Sequence, residues 1–234
     1  MEDLVSNILD NNKIIVALDY NSKKQALELS KKLDPSYCRL KIGKQLFTKY
    51  GPTIVNELQK MNFEIFLDLK FHDIPATVYK ACSEAYKLGI WMLNIHLLGG
   101  KEMVLAAKEA RDTVNKKSKI IGVTLLTSHN EESMLHLGMS TREEIVKNLS
   151  IIASDAKIDG VVCSPGDISS INSSKNNLEF VTPGIRLSDD SNDHSKIFTP
   201  NIALELGSSY LVIGRPITEA KDPMNVVEKI KLMI

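Results

Sequence analysis

Short apolar runs rich in β-branched residues recur along the chain, separated by longer stretches in which apolar positions return every three or four residues. The runs fall at residues 14–18, 39–42, 65–69, 91–95, 120–125, 160–163, 178–181 and 210–213, and each is short enough to be a strand. Between them, residues 23–33, 53–61, 76–88 and 102–114 place apolar side chains at helical spacing with Lys and Glu on the remaining positions, which predicts amphipathic helices. Strand and helix alternate from end to end. Alternation fits a parallel sheet with helical crossovers, and eight evenly spaced units favour a closed (β/α)8 TIM barrel over an open doubly wound sheet. No G-x-G-x-x-G follows the first run, and no Pro/Gly/Ser linker interrupts the pattern, so a single domain over residues 1–234 is expected. The long polar stretch at 184–196, rich in Ser, Asp and Asn and ahead of a helix near 199–206, is a candidate lid.

Composition narrows the function. A hydrophobic content of 43% over 234 residues supports a continuous core. Lys+Arg and Asp+Glu each total 29, so there is no global basic field for nucleic acid or an anionic membrane, and an anion must be held by a local site. The acidic, polar start from Met1 to Asn12 lacks the pattern of a signal peptide, and no apolar run approaches a membrane span; a cytoplasmic protein is expected. Cys38, Cys82 and Cys163 are odd in number and far apart, and read as reduced packing residues rather than a disulfide or zinc framework.

In a barrel enzyme the chemistry lies at the carboxyl ends of the strands. The first run ends in Asp19, which by itself is as easily a turn residue. In the second, Lys41 stands between Leu40 and Ile42, either functional or merely snorkelling from the barrel end. The third run, Phe66-Leu67-Asp68-Leu69-Lys70-Phe71-His72-Asp73-Ile74-Pro75-Ala76-Thr77-Val78, is the strongest signal. Strand alternation puts the Asp68 carboxylate and the Lys70 amine on one face, and Asp73 and Thr77 follow around a helix start at Pro75. A structural ion pair and a capping Asp73 form the bland account, weakened by the free energy needed to bury such charges.

After the last two runs come Thr182-Pro183-Gly184-Ile185-Arg186 and Val212-Ile213-Gly214-Arg215-Pro216. Glycine lets an anion reach backbone N–H groups, arginine offers a forked donor, and the loops after strands seven and eight are the usual phosphate site of this fold. These features point to a phosphorylated substrate. His72 and His96 lack metal-ligand spacing, so no metal is expected and both should bond within the rim.

With these residues in view the chain resembles the orotidine 5′-phosphate decarboxylase family from Lys13 to about Pro223. The run from Asp68 to Val78 matches D-x-K-x-x-D-I-P-x-T, and agreement extends to Val16-Ala17-Leu18-Asp19, Leu40-Lys41-Ile42-Gly43, Asn94-Ile95-His96, Val123-Thr124-Leu125-Leu126-Thr127-Ser128 and the two glycine-arginine segments. The resemblance implies decarboxylation of orotidine 5′-phosphate to uridine 5′-phosphate in pyrimidine biosynthesis, without metal or other cofactor. It implies that Lys70 is the proton donor, that Asp68 lies beside the departing carboxylate, and that Lys41 and Asp73 complete the charged network. It further implies ribose contacts from Asp19 and Lys41, Thr127 at the pyrimidine edge, Pro183 lining the base pocket, and phosphate contacts from Gly214 and Arg215, with Arg186 among the substrate-binding residues. A homodimer is implied, in which Asp73 and Thr77 reach the partner's site. One departure stands out: His194 occupies the place of the family's usual lid glutamine.

Two rivals remain at the level of sequence. Metal-dependent sugar-phosphate lyases or decarboxylases of the same superfamily share Asp-x-Lys-x-x-Asp, but carry a metal-binding acid where this chain has Lys41 and lack the Ile74–Thr77 continuation. A non-catalytic nucleotide-phosphate-binding barrel would have little reason to keep four buried charges.

Overall fold

The computed structural model describes residues 12–172, 177–187 and 198–234. Eight parallel strands follow one another in chain order around a closed barrel: β1 (Ile14–Ala17), β2 (Arg39–Gly43), β3 (Ile65–Phe71), β4 (Met92–His96), β5 (Lys119–Val123), β6 (Gly160–Val162), β7 (Glu179–Thr182) and β8 (Tyr210–Ile213). This is the (β/α)8 architecture expected from the alternating pattern. Each strand lies within a few residues of its predicted run. They read as near-continuous apolar stretches because parallel strands between a barrel core and a helical layer are buried on both faces.

The chain divides into two compact units. One runs to Asp68 and resumes with Thr182–Glu205 and Ser209–Ile234. Its strands pair β8-β1-β2-β3 in the register Val16↔Ile213, Ala17↔Lys41 and Gly43↔Asp68. Ile15, Val16, Leu40, Ile42, Ile65, Leu67, Leu211 and Ile213 are wholly buried there. At the strand starts Arg39 is also buried; its Nε lies 2.6 Å from Glu64 Oε2, its Nη1 donates to the Asn12 carbonyl, and its guanidinium lies 5.7 Å from the Tyr210 ring centre. A buried guanidinium supplied with acceptors on several sides is a structural device at the end of the barrel away from chemistry.

The first helices of this unit are α1 (Lys23–Ser30), α2 (Lys44–Tyr50) and α3 (Pro52–Gln59). The sequence pattern predicted one helix after β2 and the structure has two. Gly51, at φ 59°, takes the left-handed turn between them, and Pro52 starts the second with its φ preset.

The other unit comprises Leu69–Val181 and Leu206–Ser208, with β4-β5-β6-β7 paired in register from Met92↔Lys119 through Val162↔Val181. Helix α4 (Pro75–Lys87) opens with Pro at its first position and buries Val78, Cys82, Ala85 and Tyr86. It packs on α5 (Gly100–Val114), whose inward residues include Met103, Val104, Ala107 and Ala110; small side chains allow close helix approach. Helices α6 (Glu131–His136), α7 (Arg142–Asp155) and α8 (Ile168–Asn172) follow, and after β7 the first unit adds α9 (Pro200–Glu205), α10 (Arg215–Thr218) and α11 (Pro223–Met233). Here too the strand starts carry a polar network: Arg111 Nη1 is 2.5 Å from Asp159 Oδ2, Asp159 accepts the Ile120 amide, and Lys119 bridges both oxygens of Glu179 at 2.6 and 2.8 Å. Among the described residues no helix is long and apolar enough to cross a membrane.

Candidate active site

At the carboxyl ends of β1 to β3 the first unit gathers three charges. The Leu18 amide donates to the Lys41 carbonyl at 3.0 Å, which carries the β1–β2 ladder one residue past β1 and sets Asp19 at the rim of β2. Lys41 Nζ then lies 3.0 Å from Asp19 Oδ1 and 3.3 Å from Asp68 Oδ2. The Lys41 side chain is only 8% exposed, so its ammonium relies on carboxylates in place of water. Asp19 is far more open at 66%, which leaves it able to meet a ligand, while Asp68 at 12% is enclosed. Gly43 keeps this corner clear: a Cβ there would stand 3.3 Å from Asp19 Oδ1 and 3.4 Å from Lys41 Nζ.

The second unit continues β3 through Lys70. Its φ of 50° is left-handed, one of three such non-glycine residues among those described, so regular strand alternation stops at Lys70 itself. The sequence predicted plain alternation from Asp68 to Lys70; the structure puts a strained backbone there, a feature that concentrates at functional positions. The Lys70 amide donates to Oδ1 of Asn94, a β4 side chain that is 1% exposed, at 2.7 Å. Beyond β3, residues 72–77 are all exposed. Asp73 accepts the Ile74 amide at 2.7 Å, and Thr77 lies in the first turn of α4. His72 stacks on His96 with ring centres 5.4 Å apart, and His96 Nδ1 accepts the Leu98 amide at 3.4 Å, so His96 bonds within the rim as expected. Among the described residues no three His, Cys, Asp or Glu side chains converge on a point where they could hold a metal ion.

The two glycine-arginine segments belong to the first unit. Gly214 precedes α10 and its carbonyl accepts the Ile217 and Thr218 amides at 2.9 and 3.0 Å; Arg215, the first residue of α10, is exposed. Pro183 is half-buried, Gly184 has a φ of 82°, and Arg186 donates from its amide to the Phe198 carbonyl and from Nη1 to the carbonyl of Ile185. The Tyr20 hydroxyl, next to Asp19, donates to the Thr218 carbonyl at 3.0 Å and ties the β1 loop to α10. In the second unit Thr127 is exposed in the turn after β5. His194 and most of the 184–196 stretch lie outside the described residues.

The profile of the orotidine 5′-phosphate decarboxylase / HUMPS family matches residues 12–230, which takes in every strand. The chain belongs to this family. It is 47% identical over 221 residues to the orotidine 5′-phosphate decarboxylase of Saccharophagus degradans, covering 93% of each chain. With that of Legionella pneumophila it shares 48% over 219 residues, 92% of this chain and 96% of the relative. The crystal structure of orotidine 5′-phosphate decarboxylase from Lactobacillus acidophilus superposes with a TM-score of 0.84 at 35% identity, covering 95% of this chain and 99% of that one.

For a member of this family, sequence reasoning missed two contributors. Asn94 was visible only as part of Asn94-Ile95-His96; an amide side chain set between Leu93 and Ile95 in an apolar run is the signal that could have marked it. Gly43 ends the Leu40-Lys41-Ile42-Gly43 run, and its role appears only when the clearance to two charged side chains is known.

Proposed function

We propose that this chain decarboxylates orotidine 5′-phosphate to uridine 5′-phosphate, the lysine of β3 supplying the proton and no cofactor taking part. The observation that carries the reading is identity near one half, over more than nine tenths of both chains, to enzymes of that name. The geometry at β1 to β3 agrees with it, since Lys41 is clasped between the carboxylates of Asp19 and Asp68.

Loss of carbon dioxide breaks the bond between the ring carbon and its carboxylate, and the electron pair stays on the ring carbon. Little resonance is available to spread that pair, so the barrier falls only if charge is stabilised where it develops. The Lys70 ammonium meets the forming carbanion and then transfers its proton there, becoming an amine that solvent reprotonates. Asp68 stands near the substrate carboxylate, and its repulsion eases as that group becomes neutral carbon dioxide. Lys41, neutralised by Asp19 and Asp68, holds the network together and offers a donor to the ribose, as Asp19 offers an acceptor. Gly214 and Arg215 take the phosphate, with Arg186 as a further contact from the segment after β7. Pro183 and Thr127 flank the base. Phosphate grip far from the reacting carbon aligns the base and so contributes to rate.

The working unit in this reading is a homodimer, with Asp73 and Thr77 completing the neighbouring site. Support comes from the run of exposed residues 72–77, in which Ile74 is 66% exposed between the two acting residues, an apolar group that a second copy would cover.

The test is the absorbance of purified, chelator-treated protein with orotidine 5′-phosphate. Steady loss of the orotate chromophore is expected. No change while uridine 5′-phosphate still binds would replace this reading with a silent nucleotide binder, and recovery on adding a divalent metal would favour a metal-dependent enzyme.

A further inference from the structure

Helix α7 opens with Arg142 directly behind its cap Thr141, whose hydroxyl accepts the Glu144 amide at 3.3 Å. A cation in the first turn of a helix faces the positive end of the helix dipole, so helix stability alone does not account for an arginine there. Its side chain turns instead to other elements of the same unit. Nε lies 3.1 Å from Asp167 Oδ1 and Nη2 lies 2.8 Å from Asp167 Oδ2, a forked pair in which both partners are largely shielded from solvent. Asp167 is itself fixed, because it ends the turn Pro165–Asp167 after β6 and accepts the Ser164 amide at 3.3 Å. With the guanidinium held this way, Nη1 donates to the Leu126 carbonyl at 3.4 Å and Nη2 to that of Leu125 at 3.5 Å.

Those two carbonyls belong to the segment that leaves β5. The last residue tied to the neighbouring strand is Thr124, whose amide and hydroxyl both donate to the Val162 carbonyl, at 3.2 and 3.0 Å. Thr127 follows Leu126 immediately and sits exposed in a turn closed by the His129 amide on the Leu126 carbonyl at 3.2 Å. We propose that Arg142 is a positioning residue for recognition of the pyrimidine edge: braced on Asp167, it holds the Leu125 and Leu126 carbonyls and thereby sets where Thr127 stands. This rests on the proposed function, which puts Thr127 against the base. Only arginine reaches two carboxylate oxygens and two carbonyls from one planar head, so lysine cannot substitute.

The experiment compares two ligands, uridine 5′-phosphate and ribose 5-phosphate, which share sugar and phosphate and differ by the base. Binding of each is measured by calorimetry on the wild type, Arg142→Gln and Arg142→Lys. Both variants are expected to bind uridine 5′-phosphate about tenfold more weakly, a single positioning contact's worth, and ribose 5-phosphate within about twofold of the wild type. Equal weakening toward both ligands, or no weakening at all, overturns the proposal, as does full rescue by lysine. Should Arg142→Gln fail to fold, Asp167→Asn carries the same comparison through the other end of the brace. Failure of the wild type to decarboxylate orotidine 5′-phosphate would sink the proposed function independently of this selectivity.

Discussion

The side-chain oxygen of Asn94 accepts the backbone N–H of Lys70 at 2.7 Å, so a buried amide of one strand fixes the one residue of β3 whose backbone is left-handed. A non-glycine residue in that region costs on the order of 1 kcal/mol or more, and it persists where neighbours over-determine it. The bond from Asn94 is such a constraint, and it acts on the backbone that carries the Lys70 ammonium, the proton donor of the proposed reaction.

Asn94→Ala should therefore separate catalysis from binding. Losing the acceptor leaves the Lys70 amide part-buried with one partner fewer, which costs about 1–3 kcal/mol of stability. Misplacing Lys70 by a fraction of an ångström should lower kcat on the order of a hundredfold while KM changes little. Steady-state kinetics beside thermal melts check this, and an unchanged kcat in a folded variant would remove the bond from the mechanism.

The same backbone makes a prediction in the opposite direction. Lys70→Ala and Lys70→Gly should both bind uridine 5′-phosphate and both lose nearly all turnover, because neither has an acid to offer. Yet at φ 50° the glycine variant should be the more stable of the two by about 1 kcal/mol, the reverse of their usual order in a strand. Chemical denaturation of the pair decides it. Near-native turnover in either would end the role of Lys70 as the acid.

What was legible in the sequence follows from how far each interaction reaches along the chain. The strands could be found because burial on both faces writes itself locally, as in the Ile14–Ala17 and Tyr210–Ile213 runs. Lys41 could be singled out because a charge amid apolar neighbours is a local anomaly. That Asp19 and Asp68 are its partners is a matter of register across three strands, and only the resemblance hinted at it. The brace between Arg142 and Asp167 joins residues 25 positions apart on a helix start and a turn, with no periodicity to announce it. The left-handed φ of Lys70 was hidden because lysine is not a residue that signals it.

The three cysteines lead to a prediction about alkaline pH. Burial pushes the thiols of Cys38 and Cys82 up from 9.0 to about 12, with the nearby Asp34 adding to the effect at Cys38, and burial raises Cys163 further. A pKa raised on folding gives stability that is fully present below the unfolded value near 9 and is lost as pH rises toward the folded one. Unfolding free energy should thus decline from about pH 9 upward, with each thiol contributing as much as ~1.4 kcal/mol per pH unit. Urea melts between pH 8 and 11 would show it, and Cys82→Ala should make the decline shallower by about one proton. At pH 8 a thiol reagent should label the native protein slowly and all three cysteines at once after denaturation. Rapid native labelling would contradict the burial.

Subunit mixing tests whether the exposed acid after β3 serves its own chain or a partner. Lys70→Ala and Asp73→Asn proteins should each be nearly inactive alone. If Asp73 completes the neighbouring site, a mixed dimer holds one site with both defects and one with neither. Random exchange makes half of the dimers mixed, so activity should recover to about a quarter of the wild-type value per site. Mild denaturation of an equimolar mixture, followed by refolding and assay, gives the number. If Asp73 acted within its own chain, every site in the mixture would still carry one defect and no activity would return; recovery therefore requires that the carboxylate cross between subunits.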